Sequence, residues 1–263
     1  MKKTVVLLAI CSAISQTAFA ETPLNADTKG SQPVTNVASA DATVADYGNY
    51  PFLKNVSGNL AFVTNYMFRG ISQSRNLPAI QGGLTYTFPV NVYLNLWGSN
   101  VQFADSHGAS ATVELDTVIG YRNTYGDNLA YDINLGRYNY PGARFANYNE
   151  LNTVLNYYFL QAGISYSANV FNTHQSGTYY VAGINYEVPA SWVYGVCDLS
   201  LLALFGHYTL PVAAGNSYND YNLQLSKAFK NYTVSAQWTS TNGRQHNSPL
   251  DGSQLIAQLA ADF

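Results

Sequence analysis

Four acidic side chains are the residues of this sequence whose positions most clearly suggest chemistry. Glu114, Asp116, Asp132 and Glu150 occur in segments where apolar and polar residues alternate, and Arg122 is close to them in sequence. Each of the four shares the polar side of its segment, so we expect all of them to face one water-filled interior. Carboxylates that line such an interior would favour cations over anions. The alternative is that they form ion pairs that only stiffen the structure.

A basic residue, Arg69, is expected to face the same interior. It has the same parity as Asn65 in residues 59–68, which we predict to be the first strand, so both side chains should point inward at the outer end of that strand. There Arg69 could form a constriction opposite the acidic residues. Alternatively, it could bind backbone carbonyl groups and hold the adjoining loop. The candidate pore-lining residues are therefore Asn65, Arg69, Glu114, Asp116, Arg122, Asp132 and Glu150.

Residues that could support catalysis or metal binding form no recognisable pattern. His107, His174 and His246 fall in predicted loops, and no spacing between Ser and His is diagnostic of a hydrolase. No His and Cys cluster has the spacing of metal ligands. We therefore predict no catalytic residue, no metal and no cofactor. Cys197 has no partner once Cys11 is removed with the leader, and we expect it to be a small buried residue.

The composition limits the elements that can position these residues. Of the 263 residues, 47% are hydrophobic and 14% aromatic, but only 10% are charged, against about 25% in ordinary soluble domains. The aromatic content excludes a disordered chain, and the scarcity of Lys, Glu, Arg and Leu argues against a helical bundle. A formal net charge of −3 and no basic cluster make nucleic acid an unsuitable partner. These properties favour an all-β fold.

The chain divides into three predicted parts. Residues 1–20 combine two lysines, an apolar stretch and a final Ala-Phe-Ala, a pattern typical of a cleaved secretory signal peptide. Residues 21–56 show no sustained periodicity and are predicted to be a flexible periplasmic arm. Residues 57–263 are predicted to form the folded domain. No segment of that domain is apolar for about eighteen residues or more, which excludes helical membrane spans.

Alternation with a period of two recurs from residue 57 onward. It is clearest in residues 59–68, 112–122, 129–135 and 221–229, where one side is apolar and the other carries mainly uncharged polar residues and Gly. A polar side with so few charges suits a water-filled lumen better than the surface of a soluble sheet. Several apolar sides end in aromatic pairs, as expected for girdles at two lipid–water boundaries. The pairs are Tyr66 and Phe68, Tyr86 and Phe88, Tyr157 and Phe159, and Tyr232 and Trp238.

Connections between the alternating segments are short and long in turn. Residues 89–91, 189–191 and 230–231 are among the short ones, whereas residues 70–78 and 209–219 are among the long ones. Outer-membrane barrels have short periplasmic turns and longer external loops. We therefore predict an all-β transmembrane antiparallel up-and-down β-barrel of about 12 strands, which spans a membrane without a free strand edge.

The first hairpin of this predicted barrel carries a family resemblance. Residues 66–72 read Tyr-Met-Phe-Arg-Gly-Ile-Ser, followed by Pro-Ala at 78–79, Gln-Gly-Gly at 81–83 and Trp-Gly-Ser-Asn at 97–100. These motifs resemble the TorF-like family of bacterial porins, and weaker similarity extends over most of residues 57–210. Two differences occur: Asn65 replaces a common Asp, and Arg75-Asn76 replaces a common acidic pair. The resemblance implies an outer-membrane barrel that passes small solutes.

Together these observations predict a porin-like channel for passive diffusion of small polar solutes or ions in the bacterial outer membrane. Its expected partners are outer-membrane lipid and the outer-membrane assembly machinery, besides the solutes. A structural or adhesive barrel that does not conduct is the main alternative. An outer-membrane acyl hydrolase is the less favoured one, because a His in a surface loop is usually only solvated.

Overall fold

The computed structural model describes residues 51–242 and 250–263 of the chain, and almost all of its regular structure is β. The strands are β1 (Val56–Val63), β2 (Met67–Phe68), β3 (Ile71–Ser72), β4 (Ala79–Thr87), β5 (Val92–Ala104), β6 (Ser110–Tyr125), β7 (Leu129–Asn139), β8 (Tyr148–Tyr157), β9 (Leu160–Ser167), β10 (Gly177–Val188), β11 (Leu199–Thr209), β12 (Tyr218–Phe229), β13 (Tyr232–Asn242) and β14 (Gln254–Asp262). Four 3-10 helices occur within these residues: Pro51–Asn55, Arg144–Ala146, Val170–Asn172 and Ala190–Trp192. None of the helices in this part of the chain is long and apolar enough to cross a membrane.

Twelve of the strands form one closed antiparallel barrel, as predicted. Consecutive strands pair from β4 through β14, and β1 pairs with both β4 and β14 to close the sheet. Hydrogen bonds between the backbones of Gly58 and Phe263, at 2.7 and 2.9 Å, tie the two ends of this closure together. Closure leaves no free strand edge, so the backbone groups of the barrel strands are paired around the ring.

The two sides of the barrel wall differ sharply in polarity. Outward positions carry exposed apolar side chains, including Leu60 (54% exposed), Ile80 (62%) and Leu96 (60%). Inward positions carry polar side chains that are almost fully buried, such as Asn95 and Glu114. In a soluble protein the apolar side chains face inward and the polar ones outward, so the polarity of this wall is reversed. Strands that separate lipid from a polar lumen have this arrangement.

The two remaining strands, β2 and β3, form a small hairpin that is not part of the barrel sheet. The hairpin belongs to the connection between β1 and β4, and it folds into the lumen. Tyr66 at its start packs edge-on against Trp97 of β5, with ring centroids 5.6 Å apart. Phe68 contacts Tyr138 of β7 in the same way at 6.3 Å. The hairpin therefore crosses the interior of the barrel.

The hairpin corrects two predictions about the first strand. Residues 59–68 were expected to form one strand, but β1 ends at Val63. Tyr66 and Phe68 were expected in a lipid-facing girdle, but they lie in the lumen, where Tyr66 is 1% exposed. The alternation in the sequence continues through Phe68 although these residues are enclosed in the lumen, so the pattern alone does not mark the point where the chain leaves the wall.

Other differences concern the ends of the barrel. The connection between β10 and β11 runs over residues 189–198 and contains a 3-10 helix, so it is longer than the predicted turn at 189–191. Cys197, predicted to be buried, lies in this connection and is exposed. The predicted signal peptide lies outside the described residues, as does His246. Of the predicted arm, only residues 51–56 are described, and they form a 3-10 helix and the first residue of β1.

Candidate functional site

Uncharged polar side chains line part of the barrel interior, beside two clusters of buried apolar and aromatic side chains. They come from inward positions of strands all around the ring, which alternation places on the side opposite the lipid-facing residues. Amides and hydroxyls of this kind bond to one another across neighbouring strands. Asn95 Nδ2, for example, donates to Thr85 Oγ1 at 2.9 Å, and Asn152 Nδ2 donates to Asn134 Oδ1 at 3.1 Å. These amides and hydroxyls therefore satisfy part of one another's hydrogen-bonding capacity inside the barrel.

Glu114 and Asp116 lie two residues apart on β6 and both face the lumen. Glu114 is 2% exposed and Asp116 is 3% exposed. Glu114 accepts a hydrogen bond from the Tyr140 hydroxyl at 2.8 Å. Neither carboxylate takes part in an ion pair among the described residues. Glu114 and Asp116 are therefore two adjacent buried carboxyl groups without an ion-pair partner among the described residues.

A second acidic site lies where β6 and β7 pair. Asp132 on β7 accepts hydrogen bonds from the Tyr93 hydroxyl at 2.9 Å and from Asn134 Nδ2 at 2.8 Å. Arg122 Nε on β6 lies 3.9 Å from Asp132 Oδ2, and its guanidinium stacks over the Tyr93 ring at 4.0 Å. This group is a balanced ion pair, so it contributes less net charge to the lumen than Glu114 and Asp116.

Arg69 forms the closest ion pair of the described residues, with Glu150 of β8. Its Nη1 donates to Glu150 Oε1 at 2.9 Å and its Nη2 donates to Oε2 at 2.7 Å. Both side chains are completely shielded from solvent. The guanidinium also lies over the rings of Tyr179 and Tyr208 at 4.3 and 4.6 Å. This bidentate and aromatic environment attaches the tip of the β2–β3 hairpin to the far wall of the barrel.

Arg69 and Asn65 were predicted to lie on the first strand, and this placement is wrong. Arg69 lies at the turn between β2 and β3, and Asn65 lies between β1 and β2. Asn65 Oδ1 accepts a hydrogen bond from the Ser72 hydroxyl at 2.6 Å, and its Nδ2 donates to Asn76 Oδ1 at 2.9 Å. Asn65 therefore braces the base of the hairpin, while Arg69 anchors its tip.

The predicted acidic residues thus occupy separate places in one lumen. Glu114 and Asp116 are adjacent, Arg122 pairs with Asp132, and Glu150 pairs with Arg69. The role of these residues in conduction stays a prediction. Two of the four acidic side chains, Asp132 and Glu150, are ion-paired, whereas Glu114 and Asp116 have no ion-pair partner among the described residues.

Sequence reasoning missed the tyrosines and the acid that complete the Arg69 site. Tyr179 of β10 and Tyr208 of β11 face inward, and the Tyr179 hydroxyl donates to Asp220 Oδ1 of β12 at 3.1 Å. All three side chains lie on the lumen-facing side of their strands. Their even or odd position along each strand is the signal that could have identified them. Reading that signal requires the strand boundaries, and β11 hides its own because apolar residues occupy both of its sides. Two of these, Leu202 and Leu204, face the lumen and pack in the same cluster as Ile71 of the hairpin.

One hydrogen-bonded Ser–His pair occurs among the described residues, in the connection between β5 and β6. Ser106 Oγ and His107 Nδ1 are 3.1 Å apart, and both residues are exposed. The nearby Asp105 carboxylate instead accepts backbone N–H groups, including that of His107 at 2.9 Å. It is therefore not the group that orients the imidazole, as a hydrolase triad would require. Within residues 51–242 and 250–263, no three His, Cys, Asp or Glu side chains are grouped to hold a metal ion.

Comparison with solved structures shows barrels of similar fold. One, described under "Unveiling the Mechanism Behind the in-meso Crystallization of Membrane Proteins", has a TM-score of 0.50 and 6% identity, covering 79% of this chain and 83% of that one. The KdgM porin has a TM-score of 0.48 and 9% identity, covering 79% and 98%. Pseudomonas aeruginosa OprD has a TM-score of 0.37 and 12% identity, covering 80% and 66%.

Sequence comparison identifies the family. A search of curated proteins found no match. Residues 48–257 match the profile of a family described as "Bacterial protein of unknown function (Gcw_chp)". The match includes the hairpin that carries Arg69, the acidic strands and all barrel strands up to the first residues of β14. The chain therefore belongs to the Gcw_chp family of bacterial proteins.

Proposed function

We propose that the protein is an outer-membrane channel for passive diffusion of small polar solutes or ions. The observation that carries this proposal is the inverted wall: exposed Leu and Ile face outward, and amide, hydroxyl and carboxylate groups face inward. An apolar belt on a closed barrel is stable in lipid, and a polar lumen is stable only in contact with water or other polar groups. The resemblance of the first hairpin to TorF-like porins supports the same function.

Export and placement follow from the same proposal. The signal peptide of residues 1–20 would direct export, the outer-membrane assembly machinery would insert the barrel, and residues 21–56 would remain on the periplasmic side. Both ends of the barrel lie at the end that carries the short turns of residues 88–91, 126–128, 158–159 and 230–231. The longer connection of residues 189–198 is the exception at this end, and the connections at the other end have five residues or more. This distribution agrees with a periplasmic end of short turns and an external end of longer loops.

The β2–β3 hairpin sets the expected conductance. It attaches to β8 on the far side of the lumen through Arg69 and Glu150. A hairpin in this position narrows the path, so the native channel should conduct in small steps. Glu114 and Asp116 lie in the lumen without a paired cation among the described residues, and they would give the remaining path a preference for cations.

A structural barrel that does not conduct is the second candidate, and the same hairpin favours it. Its buried tip joins two walls that would otherwise enclose an open lumen. In that case the polar interior would serve folding and rigidity rather than passage. The two candidates share one fold and differ only in whether ions cross it.

Planar-bilayer recording separates the two candidates. We expect the purified protein to give discrete conductance steps with a reversal potential that indicates cation preference. A variant in which a Gly-Ser linker replaces residues 66–73 should give larger steps, because the hairpin no longer crosses the lumen. Arg75→Ala, an exposed change in the same loop, is the control. The absence of steps from both proteins would establish the structural barrel.

Substitution of the acidic pair tests the selectivity. The Glu114→Gln and Asp116→Asn double variant should shift the reversal potential toward that of an unselective pore. An unchanged reversal potential contradicts a role for these residues in selectivity, while leaving conduction itself intact. A lipid-hydrolysis assay on the native protein tests the enzymatic alternative, for which we expect no activity.

A further inference from the structure

We propose that Glu150, Tyr179 and Tyr208 form a binding site for a small organic cation with a guanidinium group, and that Arg69 of the hairpin occupies this site in the closed state. A solute of this class would displace the Arg69 side chain and release the hairpin tip. The binding step stands on the geometry alone. Only the opening of a path by that step rests on the proposed channel function.

The hydrogen bonds of the site define the chemistry of its ligand. Two parallel N–H groups of Arg69 donate to the two oxygens of Glu150, at 2.9 and 2.7 Å. This fork matches a planar guanidinium, and a compact ammonium ion cannot reproduce it with both bonds in place. The site therefore selects for guanidinium geometry and not only for positive charge.

Aromatic rings complete the enclosure of the cation. The Arg69 guanidinium carbon lies 4.3 Å from the centroid of Tyr179 and 4.6 Å from that of Tyr208. Phe68, which belongs to the hairpin itself, provides a third ring at 4.6 Å. A cation between ring faces in a site shielded from water is stabilised more strongly than one at an exposed surface. When the hairpin leaves, two of the three rings stay with the barrel.

The barrel holds these groups in place independently of the hairpin. The Tyr138 hydroxyl of β7 donates to Glu150 Oε2 at 3.3 Å, and Tyr179 donates to Asp220 at 3.1 Å. Tyr208 contacts the ring of Tyr179 at 5.6 Å. Each of these partners lies on a barrel strand. The site is therefore preorganised, so a free cation entering it would need little rearrangement of the wall.

The β2–β3 hairpin, which carries Arg69 at its tip, has few backbone pairs of its own. Its two strands share only two registered residue pairs, Met67 with Ser72 and Phe68 with Ile71. Arg69 has a φ of 48°, a left-handed conformation that is unfavourable for a residue with a side chain. Contacts at the tip must hold it there. A competing cation removes the ion pair and the ring contacts of the tip in a single exchange.

Equilibrium binding of methylguanidinium to the detergent-solubilised full-length protein tests the site. In Arg69→Ala the site is vacated, so methylguanidinium should bind at least about tenfold more tightly than to the native protein, where Arg69 competes. It should also raise the thermal unfolding midpoint of Arg69→Ala. The Arg69→Ala and Glu150→Gln double variant should lose both effects. Arg75→Ala and methylammonium are the matched variant and ligand controls.

Each result decides the proposal. Equal weak binding to the native protein, Arg69→Ala and the double variant overturns it, as does equal stabilisation by methylammonium. If Arg69→Ala does not fold, Arg69→Lys serves instead, because it keeps the charge but cannot form the fork. Tighter binding of methylguanidinium to Arg69→Lys than to the native protein supports the site, and equal binding overturns it.

Conductance recordings separate this proposal from the channel function. Binding without any conductance steps retains the site and rejects the channel. Conductance steps together with no methylguanidinium binding retain the channel and reject the site. If both hold, millimolar methylguanidinium should increase the step size of the native protein toward that of Arg69→Ala.

Discussion

At the residue scale, two buried carboxylates of the same lumen should respond in opposite ways to neutralisation. Glu150 compensates the buried Arg69 guanidinium, whereas Asp116 has no paired cation among the described residues. Glu150→Gln leaves a buried cation with a weaker partner and should lower the free energy of unfolding by about 3–5 kcal/mol. Asp116→Asn removes an uncompensated charge and should leave stability unchanged or raise it. Denaturant unfolding in lipid vesicles measures both, and equal losses would contradict the assignment of partners.

Asp105, in the loop between β5 and β6, carries a prediction about pH. Partial desolvation raises the pKa of Asp105, but backbone N–H groups of His107, Ala109 and Phe145 outweigh it, so the pKa lies below its ordinary value. A carboxyl whose pKa is lower in the folded state stabilises that state above its unfolded pKa, and this contribution disappears as the pH falls through the folded pKa. The transition of the Ala109 amide resonance that reports Asp105 protonation should therefore be centred below the ordinary pKa of Asp. Asp105→Asn should abolish the titration, and Ser106→Ala should retain it.

At the element scale, the β2–β3 hairpin depends on Gly70. Gly70 has a φ of 76°, and Arg69 before it also has a positive φ. Two successive residues with positive φ form the turn that is typical of a two-residue hairpin. A side chain at Gly70 would collide with Thr241 and come within 3.0 Å of Asp220 Cβ. Gly70→Ala should therefore displace the hairpin tip while the twelve barrel strands remain paired. We expect larger conductance steps with unchanged β-sheet circular dichroism; unchanged steps would mean that the tip tolerates the methyl group.

The hairpin also shows where prediction from sequence ends. Alternation predicted twelve barrel strands because lipid on one side and the lumen on the other impose polarity on every second residue. Inside the lumen that contrast is absent, since Tyr66 and Arg69 are both enclosed. Pairing partners 81 residues apart, such as Arg69 and Glu150, depend on how the loop folds back, and spacing along the chain does not encode that distance. The sequence predicted that Arg69 faces the interior, but its position at the hairpin tip and its contact with Glu150 required the structure.

At the scale of the whole molecule, the inverted wall predicts a depth-dependent response to charge. Leu135 and Asn149 both face outward on the neighbouring strands β7 and β8, but Leu135 lies near the middle of β7 and Asn149 is the second residue of β8, near the end of that strand. In lipid, Leu135→Arg should lower the free energy of unfolding by about 2–4 kcal/mol and Asn149→Arg by about 0–1 kcal/mol, because desolvation of the cation is greatest at the bilayer midplane. Reversible unfolding of the two variants in vesicles gives this difference. On the surface of a soluble barrel both positions would be hydrated, so equal and small effects would show that the apolar belt does not face lipid.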